Sequence, residues 1–316
     1  MRPSRRCFLA TPSALAGFSI TGLGCAELEQ GNHVLATTTL VADLVRQLLP
    51  EDVPTLLLMG PGIDPHTYEP TAGTIAQIRQ ARLIVGHGLH LEGRLTELLE
   101  NTNHLSPRRV FLITHPLENE MPQRLLESDG QWDPHVWFDA SLWVETVRPL
   151  AEALIRAYPH HCRVIETNCS RVRADLHAIH REMLAGYGGI PNNKRILITS
   201  HDAFGYLGRA YGLEVHAIQG ISTAAEVSES ALRELVGLAC EKRVSVGFLE
   251  STVSPRTIEK LRSLIRARSG RETPIHFTLG GVLFSDSLGG PGSGAETYGS
   301  MMRQNLRVIT GALSHG

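Results

Sequence analysis

Histidine follows an Asp-Pro pair twice in this chain, at Asp64-Pro65-His66 and at Asp133-Pro134-His135. Proline limits the residue before it to extended conformations and stops a helix from running through. Each turn therefore presents an imidazole from a stiff stretch of backbone. Behind the second turn, Asp139 stands where an N-cap belongs, ahead of the helix-like run Ala140-Ser141-Leu142-Trp143-Val144-Glu145. The turns alone leave two readings open: imidazoles from neighbouring loops that share a metal ion, or two ordinary proline turns each followed by a polar residue.

The elements that must position these turns read as an alternation. Strands are expected over Val34–Thr38, Thr55–Met59, Leu83–Val85 and Val110–Ile113, with helices over Leu40–Leu49, Thr74–Arg79 and Leu91–Leu99. Gly60-Pro61-Gly62 breaks the second strand and delivers the chain to His66. From Pro159 to about Tyr187, Val164, Val172, Leu176, Ile179, Met183 and Leu184 recur near helical spacing until Gly186, Gly188, Gly189 and Pro191 end the run. That predicts one long helix acting as a strut. The alternation then restarts: strands over Arg195–Thr199, Val215–Ile218 and Val244–Leu249, an extended segment over Pro274–Leu279, and helices over Pro255–Arg268 and 295–313. Thr223-Ala224-Ala225-Glu226 fits a capping box that opens a further helix. Strands alternating with helices predict an α/β chain of two doubly wound parallel-sheet lobes, over 32–157 and 190–316, joined by a helix over 159–187. Ligands of such sheets gather at the carboxyl ends of the strands. The loop Gly289–Gly294 lacks the Lys and Ser/Thr of a phosphate loop and reads as a linker.

Each half offers two candidate ligands at a turn or strand end, His66 and His135 from the first, His201 and Asp286 from the second. Three imidazoles and a carboxylate suit a borderline divalent cation such as zinc. Of the remaining histidines, His87 and His90 read as cleft-lining or surface residues rather than ligands. His177 and His180 fall three apart on the long helix and read as solvated, and His104, His160, His161 and His315 as surface residues. Glu250 closes Val246-Gly247-Phe248-Leu249; it either orients a ligand imidazole or is a plain strand-end acid.

Composition bounds the partners. The chain has 316 residues, 42% hydrophobic and 20% charged, with a net charge of -2. Without a large basic excess, nucleic acid is excluded as a partner. Residues 1–30 read as an export signal: Arg2, Arg5 and Arg6 lead an apolar stretch from Phe8 to Leu23, too short and too weakly apolar to span a membrane. Ser4-Arg5-Arg6-Cys7-Phe8-Leu9 resembles a twin-arginine signal, and Gly22-Leu23-Gly24-Cys25 a lipoprotein cleavage site that leaves Cys25 lipidated, although Gly22 stands where Leu is usual. A plain signal peptide cut nearby is the alternative. Cys162 and Cys169 are seven apart on a helical stretch, about 10 Å along the axis, too far for a disulfide. With no Cys-x-x-Cys pair, Cys162, Cys169 and Cys240 read as packing or free thiols.

From about residue 32 to its end the chain resembles the zinc/manganese-binding lipoproteins of bacterial ABC importers, the family of the zinc-uptake and treponemal metal-binding proteins. The resemblance rests on Pro65-His66-Thr67-Tyr68-Glu69-Pro70, Gly88-Leu89-His90-Leu91-Glu92, Asp133-Pro134-His135-Val136-Trp137-Phe138-Asp139, His201-Asp202-Ala203-Phe204-Gly205-Tyr206, Gln219-Gly220-Ile221-Ser222-Thr223-Ala224 and Phe284-Ser285-Asp286-Ser287-Leu288-Gly289, in that order. It implies two α/β lobes joined by a rigid helix, with one Zn2+ or Mn2+ between them held by His66, His135, His201 and Asp286. It also implies an extracytoplasmic, monomeric, lipid-anchored binding protein that hands its ion to an ABC permease. His201 follows the zinc-type pattern where manganese members often carry Glu. Thr114–Trp132 lacks the His-rich loop of many zinc-uptake members. A metal-dependent hydrolase and a surface adhesin with a structural metal are the competing functions. A hydrolase would keep an open ligand position, and no His-Glu-x-x-His pattern is present. Proton competition at three imidazoles of ordinary pKa, about 6.5, predicts that affinity falls as pH drops below about 6.

Overall fold

A computed structural model describes residues 31–106, 109–128, 130–269 and 274–315; the export signal and Cys25, read from residues 1–30, lie outside them. In the first half, β1 (Val34–Ala36) leads into α1 (Thr39–Leu48), whose N-cap Thr38 accepts the Val41 N–H. Then come β2 (Thr55–Leu57), α2 (Ala72–Gln80), β3 (Leu83–Gly86), α3 (Leu95–Leu105) and β4 (Val110–Leu112). α2 opens on a reciprocal capping box between Thr71 and Thr74. All pairings are parallel, in the order β2-β1-β3-β4. Since β1 sits between β2 and β3, the chain leaves it in opposite directions, and ligand sites form where the order reverses.

The expected helix over Leu91–Leu99 starts only at Leu95. Gly88, Leu89 and His90 hold left-handed φ angles of 96°, 53° and 59°, and Gly93 one of 49°. These residues make a tight turn that a helix cannot contain. After β4 follow α4 (His115–Glu120), the antiparallel hairpin β5 (Glu127–Ser128) and β6 (Gln131–Trp132), the helical turn Val136–Phe138, α5 (Ala140–Trp143) and α6 (Val147–Ala157). Pro149 obscures α6 in the sequence, yet it lies in the first turn, where a missing N–H costs no helical hydrogen bond.

α7 (Cys162–Gly188) has 27 residues and spans about 40 Å. Its buried stripe is Ile165, Cys169, Val172, Leu176, Ile179, Met183 and Tyr187. Val164 and Leu184, expected on that face, are instead 44% and 46% exposed, because the stripe steps by three and four residues and each lies one position off it. Cys169 is a packing residue, as expected. His180 is half-buried rather than fully solvated: its Nδ1 lies 3.3 Å from the Tyr211 hydroxyl.

The second half comprises β7 (Ile196–His201), α8 (Gly205–Tyr211), β8 (Glu214–Gln219), α9 (Glu229–Glu241), β9 (Val246–Glu250), α10 (Arg256–Arg268), β10 (Thr278–Leu283) and α11 (Tyr298–His315). β7 pairs with β8 and β9 with β10, all parallel, and β9 runs alongside β7. The capping box expected at Thr223 does not form; α9 opens at Ser228, whose hydroxyl accepts the Ala231 N–H.

Each half has a small core of its own, around Leu35, Ile84 and Leu95 in the first and Ile198, Val236 and Leu261 in the second, but the largest core is shared. One buried cluster runs from Val34 and Val85 through Trp143, Leu154 and Met183 to Leu197, Phe204 and Met302. Polar bonds reinforce it: the Tyr298 hydroxyl donates to the Trp137 carbonyl at 2.8 Å, and Trp137 Nε1 to the Ser285 carbonyl at 3.1 Å. Swinging the lobes apart would expose this cluster at about 1.5–3 kcal/mol per large side chain.

Candidate metal centre

His66, His135, His201 and Asp286 converge from four segments, and one ligand atom from each lies within 4.8 Å of all the others. His66 follows β2, His201 ends β7, and Asp286 follows β10, so three of the four stand beyond strand carboxyl ends. His135 comes from the turn between the β5–β6 hairpin and α5. His66 Nε2 is 3.4 Å from His135 Nε2, and Asp286 lies 3.3 Å from His135 Nε2 through Oδ1 and 3.3 Å from His201 Nε2 through Oδ2. A tetrahedron with metal–nitrogen bonds of about 2.0–2.1 Å has edges of about 3.3–3.4 Å. His201 Nε2 and Asp286 Oδ1 are buried without a hydrogen-bond partner, a costly state for polar atoms unless a cation joins them.

The two Asp-Pro-His turns share one local geometry. Asp64 Oδ1 accepts the His66 N–H and Asp133 Oδ1 the His135 N–H, each at 2.9 Å, the Asx turn that a short carboxylate makes two residues ahead. They differ beyond that. Asp133 Oδ1 also lies 2.6 Å from His135 Nδ1, which leaves Nε2 as the free ring nitrogen facing the centre. Glu250 serves His201 in the same way: one oxygen contacts Nδ1, and the other accepts the Ser200 and His201 N–H groups at 2.7 and 2.9 Å. Of the two roles open to Glu250, orienting an imidazole is the one observed. Such partners fix tautomer and ring orientation and raise ligand basicity.

Electrostatics separates the rings. Burial holds the pKa of His66 down to about 3, so the ring is neutral and ready to donate a lone pair. For His135 burial also disfavours the charge, but Asp133 and Asp286 outweigh it and push the pKa up to about 9. His201 is driven upward as well: burial opposes its charge, and Glu250 and Asp286 overcome that. Asp286 is held well below the carboxylate range; burial works against its charge, but the His201 and His135 rings more than compensate. The metal-free site therefore holds protons where a cation would sit.

Further residues support the site, and of these Glu92 and Gly93 were given no role from the sequence. His87 is buried; its Nε2 lies 2.7 Å from the Pro134 carbonyl, and its ring packs against Trp137 and Trp143. It braces the His135 turn and reaches none of the four converging atoms, in line with a cleft-lining role; His90 is exposed. Glu92 accepts the N–H groups of His87 and Gly88 and the Thr37 hydroxyl, anchoring the left-handed turn. Gly93, in that turn, lies so close to His66 that a Cβ would fall 2.4 Å from the His66 carbonyl oxygen. The Asx propensity of Asp-Pro-His was legible in the sequence; the partners of His87 and Glu92 were not, because they are set by elements far apart in the chain.

Residues 34–312 match the family model described as zinc-uptake complex component A, periplasmic. The chain is 35% identical over 281 residues to the zinc-binding protein TroA of Treponema pallidum, covering 89% of this chain and 88% of that protein. It is 32% identical over 303 residues to the manganese-binding lipoprotein MntA of Bacillus subtilis, covering 94% and 96%. The solved structure of the periplasmic zinc-binding protein TroA from Treponema pallidum superposes with a TM-score of 0.83 at 34% identity, covering 90% of this chain and 99% of that one.

Proposed function

Since this chain belongs to the family of the periplasmic zinc-uptake complex component A, a family of transport components, we propose that it captures one divalent metal ion and delivers it to an ABC permease. His66, His135, His201 and Asp286 are its ligands in this reading. The observation that carries it is their convergence within 4.8 Å with two imidazoles backed by carboxylates. Three nitrogens and one carboxylate favour zinc over manganese, since imidazole is the softer ligand; the relatives are named for both metals. A hydrolase would need a position left open for water, and four converging protein groups leave little room for one.

The same reading gives two lobes over 32–157 and 190–316 with the linking helix over 159–187. It places the protein outside the cytoplasmic membrane as a monomer, held there by a lipid on Cys25. Among the described residues no helix is long and apolar enough to cross a membrane. Mass spectrometry of the mature N-terminus tests the anchor: an unmodified terminus at another residue overturns it. Metal analysis of protein purified without chelator or added metal, followed by competition titration, tests the capture. One equivalent of zinc bound in preference to manganese is the expected result; no bound divalent ion would overturn the proposal.

A further inference from the structure

We infer that Thr223 is a positioning residue that sets how fast the metal leaves, by tying the His66 turn shut across the cleft. This deepens the metal-capture reading and rests on it. His66 differs from the other two imidazoles of the centre. His135 and His201 are fully buried, and each has a carboxylate on Nδ1. His66 is 7% exposed, and among the described contacts no carboxylate holds its ring. Its ring is placed by its main chain, through the bond from its N–H to Asp64 Oδ1 at 2.9 Å.

The other oxygen of Asp64 accepts the Thr223 hydroxyl at 2.5 Å, from the opposite half of the molecule. Thr223 is itself held in place. Its carbonyl accepts Gln219 Nε2 at 2.8 Å, and the Gly220 carbonyl accepts the Asp202 N–H at 3.3 Å, next to His201. Those bonds fix the loop after β8 to the second half. A second tie runs from the Gly62 N–H to the Ser287 hydroxyl at 2.9 Å. The segment that carries His66 is thus stapled across the cleft on both sides of Ile63. An ion that detaches first from the least supported, most exposed ring needs the Asp64 turn to move, and that motion breaks the Thr223–Asp64 bond. The rest of the centre is locked by buried carboxylates and the shared core, so this turn is the part free to yield.

Stopped-flow release of zinc from the loaded mature protein into excess chromogenic chelator reads the effect. Thr223→Val, which keeps the shape and removes the hydroxyl, should release zinc about tenfold faster, the scale of one hydrogen bond to a charged acceptor. Thr223→Ser should release at the wild-type rate, and the metal-free circular dichroism should overlay across all three. Equal release from Thr223→Val and wild type overturns the inference, as does Thr223→Ser releasing as fast as Thr223→Val. Thr223→Ala carries the same expectation should the valine variant fail to fold. A wild-type chain that binds no zinc would instead overturn the metal-capture reading, so the two failures are distinguishable.

Discussion

Glu250 grips His201 at two levels, contacting the ring Nδ1 with one carboxylate oxygen and taking the backbone N–H groups of Ser200 and His201 at 2.7 and 2.9 Å with the other. The end of β9 thereby fixes both the position and the tautomer of an imidazole at the end of β7. Glu250→Gln can still accept the two backbone donors but loses the negative charge behind the ring. Zinc affinity should fall about 10–100-fold while the fold persists. Competition titration against a calibrated chelator checks this, and an unchanged affinity would remove Glu250 from the support of the site.

His135→Ala should lower zinc affinity by orders of magnitude and leave the metal-free fold intact. It removes one of the four converging groups, and it also leaves Asp133 and Asp286 without the ring that lies beside both. Circular dichroism should overlay with wild type. Retained affinity in a folded variant would exclude His135 as a ligand.

The pH dependence differs from that of three ordinary imidazoles. With His135 raised to about 9 and His201 also raised, the empty site is protonated at neutral pH, so proton competition begins near pH 9 rather than near 6. His66, lowered to about 3, adds no competition until strongly acid pH. Zinc binding at pH 7 should release about one to two protons, measured by calorimetry in buffers of different ionisation enthalpy; release of none would contradict the assignment. For the metal-free fold the signs oppose. The raised His135 contributes stability that is present below about 6.5 and lost as pH rises through about 9. The neutral His66 contributes stability that is present above about 6.5 and lost as pH falls toward about 3.

Gly93→Ala should be disruptive although the residue carries no chemistry. Its φ of 49° is left-handed, costing an alanine about 1–2 kcal/mol, and the new Cβ would press on the His66 carbonyl oxygen at 2.4 Å. Both the melting temperature and zinc affinity should drop. A loss of stability with unchanged affinity would show that His66 is not placed by this contact.

Metal removal should not open the molecule. The buried cluster continues from the first half through α7 into the second, so the radius of gyration from small-angle scattering should be the same with and without zinc. A large expansion on adding chelator would contradict the shared core.

The sequence by itself determined the local features. Proline stiffness and Asx chemistry shape the two Asp-Pro-His turns, alternating apolar runs make the strands, and an uninterrupted stretch ended by glycines makes α7. These are decided within a few residues, where backbone sterics and side-chain reach suffice. Thr223 shows the limit: its neighbours suggest a helix cap, yet its hydroxyl goes to Asp64, 159 residues away, because a charged acceptor across the cleft competes with local backbone donors. The start of α3 shows it again, delayed by a left-handed turn that buried Glu92 holds together. Only the tertiary structure decided that His66, His135, His201 and Asp286 meet, that Glu250 backs His201 while no carboxylate among the described residues backs the His66 ring in that way, and that the pKa of one imidazole rises to about 9 while that of another falls to about 3. Burial and charge at a point depend on every chain segment that reaches it, and a single stretch of sequence carries no record of the others.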